Sequence, residues 1–225
     1  MFELNENLKI QEEMIEDSKV FIIPDFYKDP DEIVHYLMVE NPAGPWRGHQ
    51  MGQAGSVNGK LFDDRRHSFI ANDIRPVNAF LSELCGQRPL YPDKVKTNVT
   101  RWFDSPLNDY KNRYWWPHID EGYNGVVYLN KDSPDCGTNL YRIESEITKT
   151  NAGFRQEKGL ANPFGEHTLP WRKKKNYSIV KTFPPTYNTL VFFDGLKFPH
   201  AMNICSDRYF GKEYRLNQVF FFLQP

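Results

Sequence analysis

A mainly β fold with flanking helices, an antiparallel jelly roll or related β-sandwich, is predicted by three observations. From Lys94 onward, short β-branched or aromatic runs recur between Asp, Asn, Gly and Pro residues, the spacing of sandwich and barrel strands. Two helical patterns with an apolar face occur, both before those runs. The 225 residues, 40% hydrophobic and 15% aromatic, suffice for one sizeable core of the size usual in such folds. The chain reads as one domain over 1–225. Residues 1–93 hold an N-terminal strand, the helices and a lid-like loop, and 94–223 hold the jelly-roll core, interrupted by an insertion at about 144–176.

Lys19 to Pro24 is the first expected element, since Val20, Phe21, Ile22 and Ile23 form a short apolar β-prone run. Asp29-Pro30-Asp31-Glu32 then reads as a helix start, with Asp29 as N-cap and Pro30 at the first helical position, where its missing N–H costs nothing. This helix should reach Val39 and end at Asn41-Pro42. Between Ala43 and His67 the pattern dissolves into glycines and polar residues, which reads as a long loop able to cover a substrate. A second helix is expected over Ile74 to Cys85, capped by Asn72 or Asp73 and stopped at Gly86, with Ile74, Val77, Phe80, Leu81 and Leu84 on one face. Strands should follow at Val95 to Phe103, Arg113 to Asp120, Gly125 to Leu129, Thr138 to Ile143, Tyr177 to Thr182, Thr189 to Phe193 and Tyr214 to Leu223. Glu144 to Asn176 breaks this rhythm, and its basic run Arg172-Lys173-Lys174-Lys175 reads as a solvated charged face.

The net charge of −1 gives no whole-chain electrostatic reason to expect nucleic acid or an acidic membrane as partner. Cys85, Cys136 and Cys205 are odd in number and form no CxxC pair, so they suggest neither a disulfide framework nor a zinc knuckle. With no signal-peptide pattern and no run of 18 apolar residues, the expectation is a soluble cytoplasmic protein. Oligomeric state is not legible.

The chemistry centres on Tyr114-Trp115-Trp116-Pro117-His118-Ile119-Asp120. On a strand, His118 and Asp120 would leave the same face, bringing an imidazole nitrogen and a carboxylate oxygen to one point. That is half of a two-histidine, one-carboxylate set, the donor group of open iron(II) sites. The candidate for the second histidine is His200, which follows the apolar run Leu190-Val191-Phe192-Phe193, an Asp194-Gly195 turn and a second short strand. Arg215 lies in the aromatic final strand. Its guanidinium cannot shed its proton, so an inward-facing Arg215 should meet a protein or ligand carboxylate, with Asn217 on the same face adding a hydrogen bond. A non-catalytic β-sandwich module that holds a ligand on aromatic loops would leave this combination unexplained. A cupin-like zinc hydrolase would use similar ligands, but no HExxH-type general base is present.

From about Val95 to Phe222 the chain resembles the iron(II)- and 2-oxoglutarate-dependent oxygenase superfamily, and within it the prolyl-4-hydroxylase-like proteins. The resemblance is carried by Pro117-His118-Ile119-Asp120, by Val127-Tyr128-Leu129-Asn130 with Cys136-Gly137-Thr138, by Phe198-Pro199-His200, and by Arg215-Leu216-Asn217. It implies a double-stranded β-helix, cupin-like, with the N-terminal helices packed on one sheet. It also implies that His118, Asp120 and His200 ligate Fe(II) and that Arg215, with Asn217, holds the distal carboxylate of 2-oxoglutarate. Dioxygen would be the second co-substrate, and ascorbate an optional reductant. The implied reaction is hydroxylation of an unactivated C–H bond with release of succinate and CO2. A peptidyl proline or amino-acid side chain is the first expected substrate, and a nucleobase or small metabolite the alternative. Trp116, Tyr128 and Thr138 are the substrate-contact candidates. The sequence departs from the family where Cys136 replaces a usual Gly, where Asn217 replaces a frequent Ser, and in the long interval from Asp120 to His200.

Overall fold

The computed structural model describes residues 1–40, 73–102, 117–131, 136–144, 177–203 and most of 205–224, with four further strands between 47 and 70. Two main antiparallel sheets, a two-stranded pair, two short α-helices and a π-helical turn account for the regular structure of these residues. The strands are β1 (Gln11–Ile15), β2 (Ser18–Ile23), β3 (Arg47–Gly48), β4 (Ser56–Val57), β5 (Lys60–Leu61), β6 (Asp63–Ile70), β7 (Arg88–Pro89) and β8 (Val95–Trp102). They continue with β9 (Tyr123–Tyr128), β10 (Thr138–Ile143), β11 (Tyr177–Phe183), β12 (Leu190–Asp194), β13 (His200–Met202) and β14 (Arg215–Leu223). The larger sheet runs β1-β2-β12-β9-β14-β8-β6-β3, with β7 paired to the end of β14, and the smaller runs β11-β10-β13. A separate small pair is formed by β4 and β5.

Alternation along the central strands divides the interior into two cores. Val127, Leu190, Phe192, Leu216, Phe220 and Phe222 point to one face of the larger sheet. There they cluster with Ile33 and Leu37 from the first helical segment and Val77 and Leu81 from the second. On the opposite face, Val20, Val126, Tyr128, Val191 and Phe193 pack against Leu140, Phe183 and Phe198. The second core therefore lies between the two sheets.

The first helix, α1 (Pro30–His35), begins as its residues dictate, with Asp29 Oδ1 accepting from Glu32 N at 3.0 Å and Pro30 in the first turn. It then widens into a π-helical turn at Tyr36–Glu40 rather than continuing as α-helix to Val39. The second helix, α2 (Arg75–Cys85), ends at Gly86 in the left-handed region (φ 70°), as expected. Its N-cap is Ile74 with no side-chain cap hydrogen bond, in place of the expected Asp73, while Asn72 lies outside the described residues. Buried Asn78 instead ties the helix down, donating from Nδ2 to the carbonyls of Tyr91 and Pro92, both at 2.9 Å.

Three expectations are corrected. Gln11–Ile15 forms an edge strand of the larger sheet, although the N-terminal stretch reads as polar lead-in; charged residues suit an edge that must not recruit a further strand. Residues 43–67 are not one loop, for Asp63–Ile70 pairs with β8 along its whole length. Arg113 to Asp120 is also no strand over its described part, since from Pro117 onward only an isolated bridge at His118 occurs. Pro117 has no N–H to give to a ladder, and the amide of Asp120 is used by the carbonyl of Gly195 at 3.1 Å. Trp116 and the greater part of the insertion, 145–176, lie outside the described residues. Among the described residues no helix is long and apolar enough to cross a membrane.

Phe192 is fully buried and stacks edge-on or tilted against Tyr123 at 5.0 Å and Phe222 at 5.3 Å between ring centroids. Phe192→Ala should lower stability by about 3–5 kcal/mol, the usual loss for a buried aromatic, as measured by urea unfolding.

Candidate metal centre

The chain leaves β12 through Asp194-Gly195. Asp194 Oδ1 accepts from Leu196 N at 2.9 Å and the Asp194 carbonyl from Phe198 N at 3.1 Å, closing a tight turn. The turn returns the chain as β13, which pairs with β10 so that His200 stands opposite Leu140. On its other side His200 meets His118 in a one-residue antiparallel bridge. His118 N donates to the His200 carbonyl at 3.0 Å and His200 N to the His118 carbonyl at 2.8 Å. The two imidazoles are consequently adjacent, with centroids 4.2 Å apart and planes inclined at 53°.

Asp120 completes the group. Its Oδ2 is 3.3 Å from His200 Nε2 and 3.7 Å from His118 Nε2. One ligating atom from each of the three side chains lies within 4.8 Å of the others, the spread expected of donors about a single ion. His200 Nδ1 is 3.0 Å from the Phe198 carbonyl, which can only accept, so Nδ1 carries a proton and Nε2 is the nitrogen turned toward Asp120. Burial raises the Asp120 carboxyl pKa. The hydrogen bond to His200, the charge of the two imidazoles when protonated and the Asn124 amide outweigh it and hold the group well below the usual carboxylate range. Two neutral nitrogen donors and one ionised oxygen donor fit a borderline divalent cation such as Fe(II).

The other expected residues form a second group on the same interior face. Arg215 is buried on β14; its Nε donates to the Cys136 carbonyl at 2.8 Å and its Nη1 to Asn217 Oδ1 at 2.7 Å. The guanidinium carbon is 5.9 Å from the centroid of the Tyr128 ring. Asn217 is the register partner of Tyr128 across β14 and β9, so their side chains share a face. Tyr128 Oη donates to Thr138 Oγ1 at 2.7 Å, a strut between the two sheets. Thr138 lies two residues along β10 from Leu140, the partner of His200, which places it roughly 7 Å along the strand from the level of the histidines. Cys136 adopts a left-handed conformation (φ 68°), and a side chain on Gly137 would put a carbon 1.9 Å from the Phe183 carbonyl oxygen. That turn is what aims the Cys136 carbonyl at Arg215.

Sequence reasoning missed Asn124 and Phe193. Asn124 Nδ2 donates to Asp120 Oδ2 at 2.6 Å, and the Phe193 ring meets His200 edge-on at 4.9 Å. The available signal for Asn124 was a lone amide in the run Tyr123-Asn124-Gly125-Val126-Val127, a polar residue on what becomes an inward face.

The arrangement is a two-histidine, one-carboxylate donor set at the end of the core between two antiparallel sheets. No protein-family profile matches the sequence, and no curated protein matches it. Among solved structures the chain is similar to a prolyl-4-hydroxylase from Pseudomonas putida, with 10% identity over 88% of this chain and 87% of that one and a TM-score of 0.42. It is also similar to an N-substituted L-amino acid dioxygenase from Burkholderia ambifaria AMMD, with 12% identity over 93% and 87% and a TM-score of 0.42. A candidate oxygenase from Shewanella oneidensis matches with 10% identity over 91% and 81% and a TM-score of 0.48.

Asp120→Ala and His200→Ala should each weaken Co(II) binding by more than about a hundredfold, beyond what the loss of a ligand's hydrogen-bonding partner costs. Anaerobic titration followed by visible absorption measures it. His35→Ala, which removes an exposed histidine 3.5 Å from Glu40, should leave the affinity unchanged.

Proposed function

We propose that the protein is an Fe(II)- and 2-oxoglutarate-dependent dioxygenase that hydroxylates an unactivated C–H bond. The convergence of His118, Asp120 and His200 carries this reading, because their ligating atoms lie within 4.8 Å of one another. These residues would hold iron(II), which with dioxygen and 2-oxoglutarate supplies an oxidative decarboxylation that yields succinate, CO2 and a hydroxylated product.

The protein's own part is to position and to exclude water. His200 presents Nε2 because the Phe198 carbonyl holds its other nitrogen. Asp120 contributes an ionised oxygen, which favours hydroxylation over chemistry that needs an extra anion at the metal. Arg215 would bind the distal carboxylate of the co-substrate from the same interior face, with Asn217, Tyr128 and Thr138 fixing the guanidinium and the ring beside it. Phe193 and Phe198 provide an apolar wall next to His200. The double-stranded β-helix architecture and a proline-containing or amino-acid substrate belong to the same reading and rest on the sequence resemblance. Trp116 is retained as a substrate contact on the same basis.

Anaerobic addition of Fe(II) and then 2-oxoglutarate should produce a metal-to-ligand charge-transfer band in the visible range. Screening of peptides, amino acids, nucleobases and small metabolites by succinate release should find turnover above the uncoupled background. A chain that binds iron yet develops no such band contradicts the assignment. Arg215→Ala should weaken 2-oxoglutarate binding about 10–100-fold, the weight of a charge-assisted contact, while iron binding stays near wild type. Equal losses of both would remove the assigned role.

A further inference from the structure

We infer that Asn124 is a positioning residue that sets the orientation of the Asp120 carboxylate in the metal centre, and that Gly195 is glycine in order to admit it. This inference rests on the metal-centre reading above. Asn124 is 2% exposed and lies at the start of β9, on the face that also carries Val126 and Tyr128 toward the core between the sheets. Its Nδ2 reaches Asp120 Oδ2 at 2.6 Å, the same oxygen that lies nearest both histidines. Among the described residues, its Oδ1 is a buried acceptor with no hydrogen-bond partner.

That imbalance argues for function. The unpaired oxygen offsets part of what the bond to Asp120 contributes to folding, so stability alone does not account for an asparagine here. Turning the amide over would set its carbonyl oxygen against the carboxylate oxygen, so the donating orientation is the one the site enforces. A neutral donor also suits the task. Lysine or arginine in this place would compete for the carboxylate charge that the metal requires, whereas an amide takes one lone pair and leaves the charge in place.

The backbone around the amide is shaped for it. A β-carbon on Gly195 would come within 2.3 Å of Asn124 Nδ2 and 2.9 Å of the Gly122 carbonyl. Gly195 N donates to that Gly122 carbonyl at 2.8 Å, while the Gly195 carbonyl accepts from Asp120 N at 3.1 Å. Gly195 thus fixes the Asp120 main chain while its missing side chain leaves room for the amide that fixes the Asp120 side chain. Asp120 is held from two directions without any charged group.

The test uses the full chain and Mn(II), with free metal read by electron paramagnetic resonance under nitrogen and the melting temperature of the metal-free protein measured alongside. Asn124→Ala should raise the Mn(II) dissociation constant about 10–100-fold, the usual cost of removing the partner of a metal ligand. The metal-free melting temperature should change little, because losing the bond to the carboxylate and losing the unpaired acceptor oppose one another. Gly195→Ala should weaken binding in the wild-type background and by less in the Asn124→Ala background, since the clash with the amide is then gone and only that with the Gly122 carbonyl remains. Asn124→Ala that binds Mn(II) within twofold of wild type overturns the inference, as does a fall in metal-free melting temperature with affinity unchanged or additive losses in the double variant. Asp120→Ala separates the two readings. If it binds Mn(II) as wild type does, the metal centre itself is wrong and the inference falls with it; if it loses Mn(II) while Asn124→Ala does not, only the inference fails.

Discussion

Two backbone hydrogen bonds between His118 and His200, 3.0 and 2.8 Å long, are the constraint on which the site depends. They join a segment that belongs to no strand to the short β13, and they do so at the two residues whose side chains must meet. A one-residue bridge is a weak element by itself. It is held because both partners are anchored nearby, His200 through the ladder to β10 and the segment after His118 through the Asp120 amide on the Gly195 carbonyl. The turn at Asp194-Gly195 thereby serves both halves, directing the chain into β13 and receiving Asp120.

The larger sheet acts as a partition. One face is apolar and is covered by the residues of the helical segments, and the other looks across to the smaller sheet. Arg215, Asn217 and Tyr128 lie on the second face because their positions alternate with Leu216, Gln218 and Val127, which face the first. The buried polar groups on the helix-covered side are paired with one another, as in Tyr27 Oη donating to Gln218 Oε1 at 2.7 Å and Gln218 Nε2 to Thr97 Oγ1 at 3.2 Å. Polar character there is structural. On the other side it gathers beside the histidines.

Much of this was legible in the residues, and the parts that were not share a cause. Asp29-Pro30, Gly86 and the apolar alternation of β9, β12 and β14 act locally, and each carries its own signal. Arg215 stood out because a charge in an aromatic strand has few explanations. β1 and β6 were invisible because Gln11-Glu12-Glu13 and Asp63-Asp64-Arg65-Arg66 lack the apolar period, and their pairing is imposed by neighbours. The triplet His118-Ile119-Asp120 was singled out for a reason that the fold does not use. Its side chains converge through the bridge and the Gly195 contact instead of through strand alternation. Asn124 showed in the sequence only as a lone amide on an inward face, since its importance lies in which oxygen it touches.

The three donors differ in exposure: the side chains of His118, Asp120 and His200 are 40%, 26% and 9% accessible. Such a gradient gives the centre an outer and an inner ligand. Metal exchange in a site of this kind is expected to begin at the outer ligand, where water can replace the imidazole while the other two donors keep their grip. The deep histidine would set how long an ion remains, and the shallow one how readily a chelator or a competing cation gains entry. The loading of such a centre would then be governed by His118, the most exposed of the three side chains.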